Sequence, residues 1–345
     1  MIFLGDLACP DQNIDAFLYC INNIPEFNNE IIVLNLEACT VDNAEEREDL
    51  TLYNLSRIAE AFSQSRKIIV SLANNHMYDY PEKILETRSI LQNHGIASFG
   101  LYENGEIKPY EFIDADGKKY AFFGHCWRLY TNTNRNNVND VRVVDCPYDE
   151  FLSVVQNYTE DHADVKIFCF MHWNYDLEKY PFPMQRTLSR KLIDAGVEGV
   201  IGSHSHRPQG FEVYKGKIIA YCLGNFYLPS GIYFDGKLSY PEVSRTTYGI
   251  RINDDACDRL WFDTDKGNVP LSLTRIDEDI FSNHDYPDCI DMSEKVYLNF
   301  FKQNREKKVL VPVFTNIGGV KMSYQEAWAI LRVKILRRLK GLMKK

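Results

Sequence analysis

The 345-residue sequence lacks the features that mark membrane-spanning, disulfide-rich and zinc-knuckle proteins. No apolar run approaches the roughly 18–20 residues that a membrane-spanning helix needs. The nine cysteines are odd in number and never form a CxxC pair, which argues against a disulfide framework and a short-range zinc site. The chain begins directly with the strand-like segment MIFLGD, so we expect no signal peptide and a cytoplasmic protein with reduced thiols.

Positive charge is scarce in the first 300 residues and concentrated at the end of the chain. The whole sequence carries 39 Lys and Arg against 48 Asp and Glu, a formal charge of −9. Residues 301–345 carry 12 Lys and Arg against 2 Asp and Glu, which leaves −19 on the rest. Because nucleic acids bind mainly basic surfaces, this acidic body predicts no nucleic-acid partner.

The order of apolar and amphipathic segments predicts an α/β protein. Strand-length apolar runs alternate with several amphipathic stretches, which is the pattern of an α/β sandwich. A hairpin is expected at residues 112–123, with Asp116-Gly117 as its turn, and a polar surface loop at 130–140. The predicted strands are 2–4, 31–36, 67–72, 120–123, 165–171, 197–201 and 218–223, and the predicted helices are 12–23, 46–65, 81–94, 147–158 and 184–195.

Polar, metal-competent side chains follow these apolar strands repeatedly. Ligands of α/β sheets sit outside the carboxyl ends of the strands, so we expect these groups to converge on one rim. Each residue alone has a structural alternative, as a helix cap or a hydrogen-bonded histidine, but seven strand ends in series favour a site. Asp, Glu, Asn and His without Cys are typical ligands of Mn, Fe or Zn at hydrolytic sites. The residues are Asp6, Asn35, Glu37, Asn74, Asn75, His76, Asp79, His125, His172, His204, His206 and Asn225.

Five motifs in one order resemble a known family. They are NLE (35–37), LANNHMYD (72–79), HWNYDLEKYPFPMQ (172–185), IDAGVEGVIGSHSH (193–206) and YCLGNF (221–226). Over about residues 1–227 the sequence resembles the CapA-type capsule or poly-γ-glutamate synthesis family, a branch of the calcineurin-like metallophosphoesterases. The resemblance implies a four-layer α/β/β/α metallophosphoesterase sandwich with a C-terminal basic helix. We expect residues 1–280 to form this domain, 281–322 a connecting segment and 323–345 the helix.

The resemblance also implies a site for two divalent metal ions. One ion would be held by Asp6 with His206, and Glu37 would bridge the pair. The second ion would be held by Asn75, His172 and His204. Two cations about 3.5–4 Å apart activate water and stabilise both oxygens of an in-line displacement.

The resemblance implies an acid–base pair beside the metals. His76 follows a metal-binding asparagine and would protonate the leaving oxygen, and Asp79 would orient its imidazole.

The sequence departs from the family pattern at several positions. The wider superfamily begins with Asp-x-His, whereas Ala8 stands two residues after Asp6, so one metal is expected to have few ligands and to bind weakly. Asn174 and Asp176 stand where the family pattern has Gly and a nearby Glu. Three other residues near the motifs each have two possible roles. His125 could be an additional metal ligand or a structural residue. Arg128 and Arg207 could bind a phosphate or carboxylate of the substrate, or lie on the surface.

The sequence of residues 323–345 predicts a basic amphipathic helix. Ser323 and Glu326 match a capping box. Most basic residues lie off an apolar face formed by Tyr324, Trp328, Leu331, Ile335, Leu339 and Leu342. Such a helix can lie on an anionic membrane surface at the inner face of the membrane, or dock on the core with a solvated basic back.

Two functional hypotheses from different classes fit these observations. The first is a metal-dependent phosphoesterase-like hydrolase in bacterial capsule, exopolysaccharide or poly-γ-glutamate biosynthesis, acting on an anionic polymer or phosphoester. The second is a non-catalytic accessory protein of the polymer-synthesis machinery. Ala8 favours the second hypothesis and the NNH and HSH motifs favour the first. A nuclease-like phosphodiesterase is less favoured because of the acidic body.

Overall fold

The strands and helices follow the periodicities of the sequence closely in a computed structural model. It describes residues 1–41, 51–134, 141–253, 256–264, 271–282, 286–306 and 310–342, with side chains omitted at 132–134 and 337–342. The strands are β1 Ile2–Leu7, β2 Ile31–Leu36, β3 Lys67–Ser71, β4 Ala97–Phe99, β5 Tyr102–Glu103, β6 Glu106–Ile107, β7 Tyr110–Ile113, β8 Lys119–Cys126, β9 Val165–His172, β10 Gly199–Ser203, β11 Phe211–Tyr214, β12 Lys217–Ala220, β13 Asn225–Tyr227, β14 Thr246–Ile252, β15 Cys257–Thr264 and β16 Leu271–Asp277. The helices are α1 Ile14–Ile21, α2 Ile84–Asn93, α3 Arg128–Asn134, α4 Tyr148–Asp161, α5 Pro183–Asp194, α6 Glu294–Asn304 and α7 Gly319–Leu342.

Two large sheets carry the site. The first has the order β16-β15-β14-β1-β2-β3-β4, with β13 also pairing with β1, and the second has the order β11-β12-β10-β9-β8-β7. Strands β1 to β4 run parallel, as do β8, β9, β10 and β12. The parallel strands within each sheet therefore end on the same side, which sets up one rim for polar side chains.

The core is divided into three apolar layers that define a four-layer sandwich. Phe3 and Ile69 of the first sheet pack with Phe168 and other residues of the second sheet between the two sheets. Neighbouring residues on the strands face outward, because side chains alternate across a strand. The outer cluster of the first sheet includes α1 and α2, and that of the second includes α4, α5, α6 and α7. The expected α/β/β/α architecture with a C-terminal helix is confirmed.

Several local predictions need correction. The helix predicted at 46–65 is wrong over 51–65, where a 3-10 helix at Ser56–Glu60 follows extended chain, and 46–50 lie outside the described residues. The loop predicted at 130–140 is wrong at its start because α3 reaches Asn134, and 135–140 lie outside the described residues. At 51–65 the apolar residues Ile58 and Phe62 pack into the core without forming an α-helix, because tertiary contacts override local helix propensity.

The C-terminal segment packs on the second sheet. The predicted connecting segment 281–322 contributes α6, whose Tyr297 and Phe301 join Phe314 in the core, so the boundary at residue 280 stays a prediction. The predicted capping box of α7 is wrong, because this helix begins at Gly319 and the Ser323 hydroxyl donates to the Gly319 carbonyl. None of the described helices is long and apolar enough to cross a bilayer.

Candidate metal centre

Asp6 lies fully buried near the end of β1. Its Oδ1 accepts a hydrogen bond from the Asn35 amide at 2.7 Å, and its Oδ2 accepts one from the His204 backbone N–H at 3.0 Å. A Cβ on the preceding Gly5 would lie 2.0 Å from the Gly224 carbonyl oxygen, so only glycine allows β1 to approach this turn. Burial raises the pKa of Asp6, although His206 and these hydrogen bonds oppose the rise.

Glu37 follows β2 and lies fully buried beside Asp6. Its Oε2 accepts a hydrogen bond from the same Asn35 amide. Its Oε1 accepts no hydrogen bond from any described residue and lies 3.7 Å from His172 Nε2. Burial, together with the neighbouring Asp6, raises the pKa of Glu37 well above its usual range. A buried carboxylate oxygen without a donor is a strong candidate for a cation ligand.

His172 is the last residue of β9 in the second sheet and is buried. Its Nδ1 lies 2.9 Å from the Ser203 hydroxyl and its Nε2 lies 2.9 Å from Oδ1 of the buried Asn75. Burial and the neighbouring histidines lower the pKa of His172 well below its usual range, which keeps the imidazole neutral. Neutral imidazole is the form that binds metal.

His204 and His206 lie in the loop that follows β10. Both have positive φ angles, 87° for His204 and 56° for His206, a conformation that is costly outside glycine. His204 Nε2 lies 3.2 Å from Asp176 Oδ1, and His206 Nδ1 lies 2.9 Å from Asn225 Oδ1. Burial lowers the pKa of His206 despite the nearby Asp6 carboxylate. The strained loop turns both imidazoles toward the rim.

The buried side chains form two overlapping groups that can each hold a cation. One group is Glu37, His204 and His206, and the other is Asp6, Glu37 and His172; within each, the candidate ligand atoms all lie within 4.8 Å of one another. Glu37 belongs to both, which suits the bridging role expected of it. His204 is grouped with His206, whereas the expected division assigned it to the ion of His172.

The chemistry of these donors fits divalent cations. Without a cation, the two adjacent buried carboxylates have raised pKa values and His172 and His206 have lowered ones, so these four groups disfavour charge. A cation would stabilise the ionised carboxylates and leave the imidazoles neutral as ligands. Oxygen and nitrogen donors of this mixture suit Mn, Fe or Zn.

His76 and Asp79 lie on a 3-10 helix, Asn75–Asp79, that begins after β3. The Asn74 side chain caps this helix by accepting the Met77 N–H. His76 Nδ1 lies 2.7 Å from Asp79 Oδ2, and its Nε2 lies 3.9 Å from Glu37 Oε1. Burial disfavours the imidazolium, but the carboxylates of Asp79 and Glu37 outweigh burial and raise the pKa of His76 to about 9. The pair thus has the geometry of an oriented proton donor.

The rim opens into a cavity of about 450 Å³. Asn75, His76, His204 and His206 line it on the metal side. Its other walls are mainly apolar and aromatic, from Leu52, Leu129, Tyr130, Tyr175, Leu177, Phe234, Leu238, Tyr240, Val311 and Val333, with Ser239, Asp176 and Arg332 as further polar residues. The metal side of the cavity is therefore open to a substrate.

Three polar residues lie beside the candidate ligands: Asn35 and Asn225, which the sequence placed among the metal-competent residues, and Ser203, which it did not single out. Asn35 links Asp6 to Glu37, Asn225 accompanies His206, and Ser203 accompanies His172. Asn35 and Asn225 could be identified from the sequence because they lie at the ends of apolar strand segments. Ser203 had no such signal, because a serine at the end of a strand is common.

The three residues that had two readings from sequence each have a protein partner. His125 Nε2 lies 2.8 Å from the Cys146 carbonyl, its ring packs on Tyr148 and Phe151, and burial lowers its pKa to about 4. Arg128 pairs with Glu326 of α7 instead of facing the rim. Arg207 Nη1 lies 3.9 Å from a Glu306 carboxylate oxygen. His125 therefore does not join the ligand groups, and Arg128 is not an anion clamp.

Comparison with known proteins identifies similar chains in bacilli. The chain is 26% identical over 176 residues to capsule biosynthesis protein CapA of Bacillus anthracis, covering 50% of this chain and 43% of that protein. It is 26% identical over 170 residues to PGA biosynthesis protein CapA of Bacillus subtilis, covering 47% of this chain and 43% of that protein. The chain thus matches less than half the length of these relatives.

Among solved structures, the NAD nucleotidase of Haemophilus influenzae has a TM-score of 0.30 and 15% identity over 60% of this chain and 38% of that chain. That similarity is too weak to assign a fold or an activity. A family sequence model, by contrast, matches residues 12–230, which is more than half of the chain. All five motifs lie inside this match, so the chain belongs to the bacterial capsule synthesis protein PGA_cap family.

Proposed function

We propose that this chain is a metal-dependent phosphoesterase-type hydrolase that acts in capsule or poly-γ-glutamate production. The observation that carries the proposal is one buried ligand cluster, opening into a cavity beside an oriented His76–Asp79 pair. Its six candidate ligands are Asp6, Glu37, Asn75, His172, His204 and His206. Two bound cations would supply an acidified water and neutralise a phosphate.

The protein's own residues have separate tasks in this proposal. Asn35 holds the carboxylates of Asp6 and Glu37 side by side, and Asn225 orients His206. Asp79 accepts from His76 Nδ1, which leaves Nε2 outside that bond and 3.9 Å from Glu37 Oε1, on a residue that lines the cavity. With a pKa of about 9, His76 is protonated at neutral pH and donates its Nε2 proton to the leaving oxygen.

A screen of phosphomonoesters and phosphodiesters with the Mn-, Fe- or Zn-loaded full chain tests the proposal. The wild type and a His94→Ala control, which changes an exposed histidine on α2's C-terminal end, should cleave the same substrate. His76→Ala and His204→Ala should not. If the metal-loaded wild type cleaves no phosphoester, the hydrolase proposal fails.

A second proposal takes over in that case: an accessory protein that binds an anionic polymer without turnover. The observation in its favour is Ala8, a fully buried residue where the wider superfamily has a metal-binding histidine. An incomplete ligand set would weaken one metal and with it the two-metal chemistry.

We further propose that α7 attaches the protein to an anionic membrane surface. Its apolar face is exposed on the described side chains: Tyr324 is 73% exposed, Trp328 43%, Leu331 49% and Ile335 43%. The opposite face is buried through Met322, Glu326 and Ala329. The sequence adds Lys321, Lys334 and five basic residues at 337, 338, 340, 344 and 345. An aromatic and aliphatic face beside basic residues suits an anionic bilayer.

A further inference from the structure

Arg332 of α7 reaches the cavity that opens on the metal centre. It is the one Arg or Lys among the described residues that line this cavity. Arg332 forms no hydrogen bond or ion pair with any described residue, unlike Arg128, which pairs with Glu326 on the same helix. A partly buried guanidinium without a protein partner keeps its donors available for a ligand.

Tyr175 supplies a second unused donor on the same cavity wall. Its hydroxyl oxygen is buried and has no hydrogen-bond partner among the described residues. Burial raises the pKa of the Tyr175 phenol, and the positive charges of Arg305 and Arg332 oppose that rise. Arg332 therefore lies close enough to Tyr175 for its charge to act on the hydroxyl. A buried hydroxyl left without a partner is costly unless a ligand or water completes it.

The acidic residue that lines this part of the cavity, Asp176, contacts a candidate metal ligand. Asp176 follows Tyr175 in the chain, and its carboxylate lies 3.2 Å from His204 Nε2. The charge of Asp176 is thus directed to the histidines, while Arg332 and Tyr175 present donors to the cavity beyond them.

We propose that Tyr175 and Arg332 form a second anion-binding subsite, which binds a carboxylate or phosphate group of the substrate away from the metal centre. The proposal rests on the proposed function because the first anionic group would occupy the metal side. A guanidinium pairs bidentately with either anion, and a phenol adds one donor. The enzyme would then select substrates with two anionic groups separated by an apolar spacer, which the apolar walls suit.

This subsite lies partly outside the family match. The match ends at residue 230, whereas Arg332 and Val333 come from α7 and Val311 from the segment before it. Glu326 of α7 accepts hydrogen bonds from Trp127 and Arg128, which hold this helix against the second sheet's outer layer. Substrate selection would thereby be supplied by the C-terminal helix, while the metal ligands come from the matched strands and Asp6.

Non-hydrolysable probes test the subsite by calorimetry on the full chain, with and without Mn. The probes are alkane bisphosphonates of one, three and five carbons, phosphonoalkanoates of the same lengths, and alkylphosphonates with a single anionic group. For at least one spacer length, a probe with two anionic groups should bind about tenfold more tightly than the alkylphosphonate with one. Comparing bisphosphonates with phosphonoalkanoates identifies whether phosphate or carboxylate is preferred.

The variants separate this subsite from general electrostatics. Arg332→Gln should abolish the gain, Arg332→Lys should restore part of it, and Tyr175→Phe should reduce it about threefold without loss of stability, since the lost hydroxyl has no partner. Lys334→Gln, which removes an exposed charge two residues along the helix, should leave it unchanged.

Three outcomes overturn the subsite: a wild type without the gain, an Arg332→Gln variant that keeps it, or a Lys334→Gln variant that loses as much. Phosphoester cleavage with any of these results leaves the hydrolase proposal standing. An Arg332-dependent gain in a protein that cleaves nothing leaves the subsite standing and refutes the hydrolase.

Discussion

The carboxylates of Asp6 and Glu37 share one hydrogen-bond donor, the side-chain amide of Asn35. They come from neighbouring parallel strands and lie fully buried, where two like charges repel each other strongly. One amide between them offsets part of that repulsion and fixes the distance between the acids. Asn35 is thus a positioning residue for any cation that the two carboxylates share.

Asn35→Ala should weaken metal binding by about 10–100-fold, as expected when a group that orients ligands is lost. Metal titration of the purified variant followed by calorimetry measures this. Asn157→Ala, at an exposed position on α4, is the matched control. An Asn35→Ala protein that binds metal as tightly as the control would refute the positioning role.

His204→Ala and His76→Ala should separate metal binding from proton transfer. The first should lose metal by elemental analysis. The second should keep its metal and lose turnover by about 10²–10⁴-fold, because an acid acts on the leaving group and need not hold the ion. Full activity in His76→Ala would contradict the assignment of the acid.

Glu326→Ala should loosen α7. Its carboxylate accepts hydrogen bonds from Trp127 Nε1 at 3.2 Å and Arg128 Nε at 2.7 Å. Losing a mostly buried acceptor of a charged donor should reduce the free energy of unfolding by about 1–3 kcal/mol. Hydrogen exchange of residues 319–336 and urea unfolding measure the effect, with exposed Lys321→Ala on the same helix as control. Equal exchange in both variants would show that Glu326 does not anchor the helix.

Replacing Trp328 and Leu331 with Ser should reduce binding to vesicles that contain phosphatidylserine. Leu331 is 49% and Trp328 43% exposed, and the Trp328 indole donates one hydrogen bond, to the Leu310 carbonyl, so we expect the fold to survive their replacement. A truncation at residue 323 is a poorer test than the sequence suggested, because it would remove the buried Glu326 and Ala329. Leu85→Ser, at an exposed position of α2, is the control. A wild type that does not sediment with these vesicles at low salt would exclude membrane attachment.

His125→Gln should flatten the pH dependence of stability. The pKa of His125 is lowered to about 4, mainly by burial, while Asp145 opposes and Arg128 assists the shift. Between about pH 4 and 6.5 the unfolded chain therefore binds more protons, and the native state loses stability as the pH falls. Between pH 7 and pH 4.5 this group should lower the wild type's free energy of unfolding by about 2–3 kcal/mol, and the variant should lack this contribution. Urea unfolding at pH 4.5 and 7 compares them, and an equal pH dependence would refute the burial of a neutral His125.

The strand ends illustrate how far sequence reasoning reached. Asp6, Glu37, Asn75, His172, His204 and His206 each follow an apolar run, and the common direction of parallel strands makes their convergence predictable. Their metal-binding roles stay predictions. The grouping of His204 with His206 was not predictable, because it depends on the positive φ angles of these two residues, which leave no pattern in composition.

Sequence alone determined the α/β class, the rim and the amphipathic character of α7, since these follow from local periodicity and strand direction, whereas the α/β/β/α layering came from the family resemblance. Tertiary structure alone decided which face of α7 docks: Glu326 meets Trp127 and Arg128, almost 200 positions earlier, and the face richest in aromatic and aliphatic residues stays exposed. Tertiary structure also determines that Arg128 pairs with Glu326, whereas Arg332 lines the cavity. Such pairings between distant segments depend on packing geometry and complementary charge, which short-range patterns do not encode.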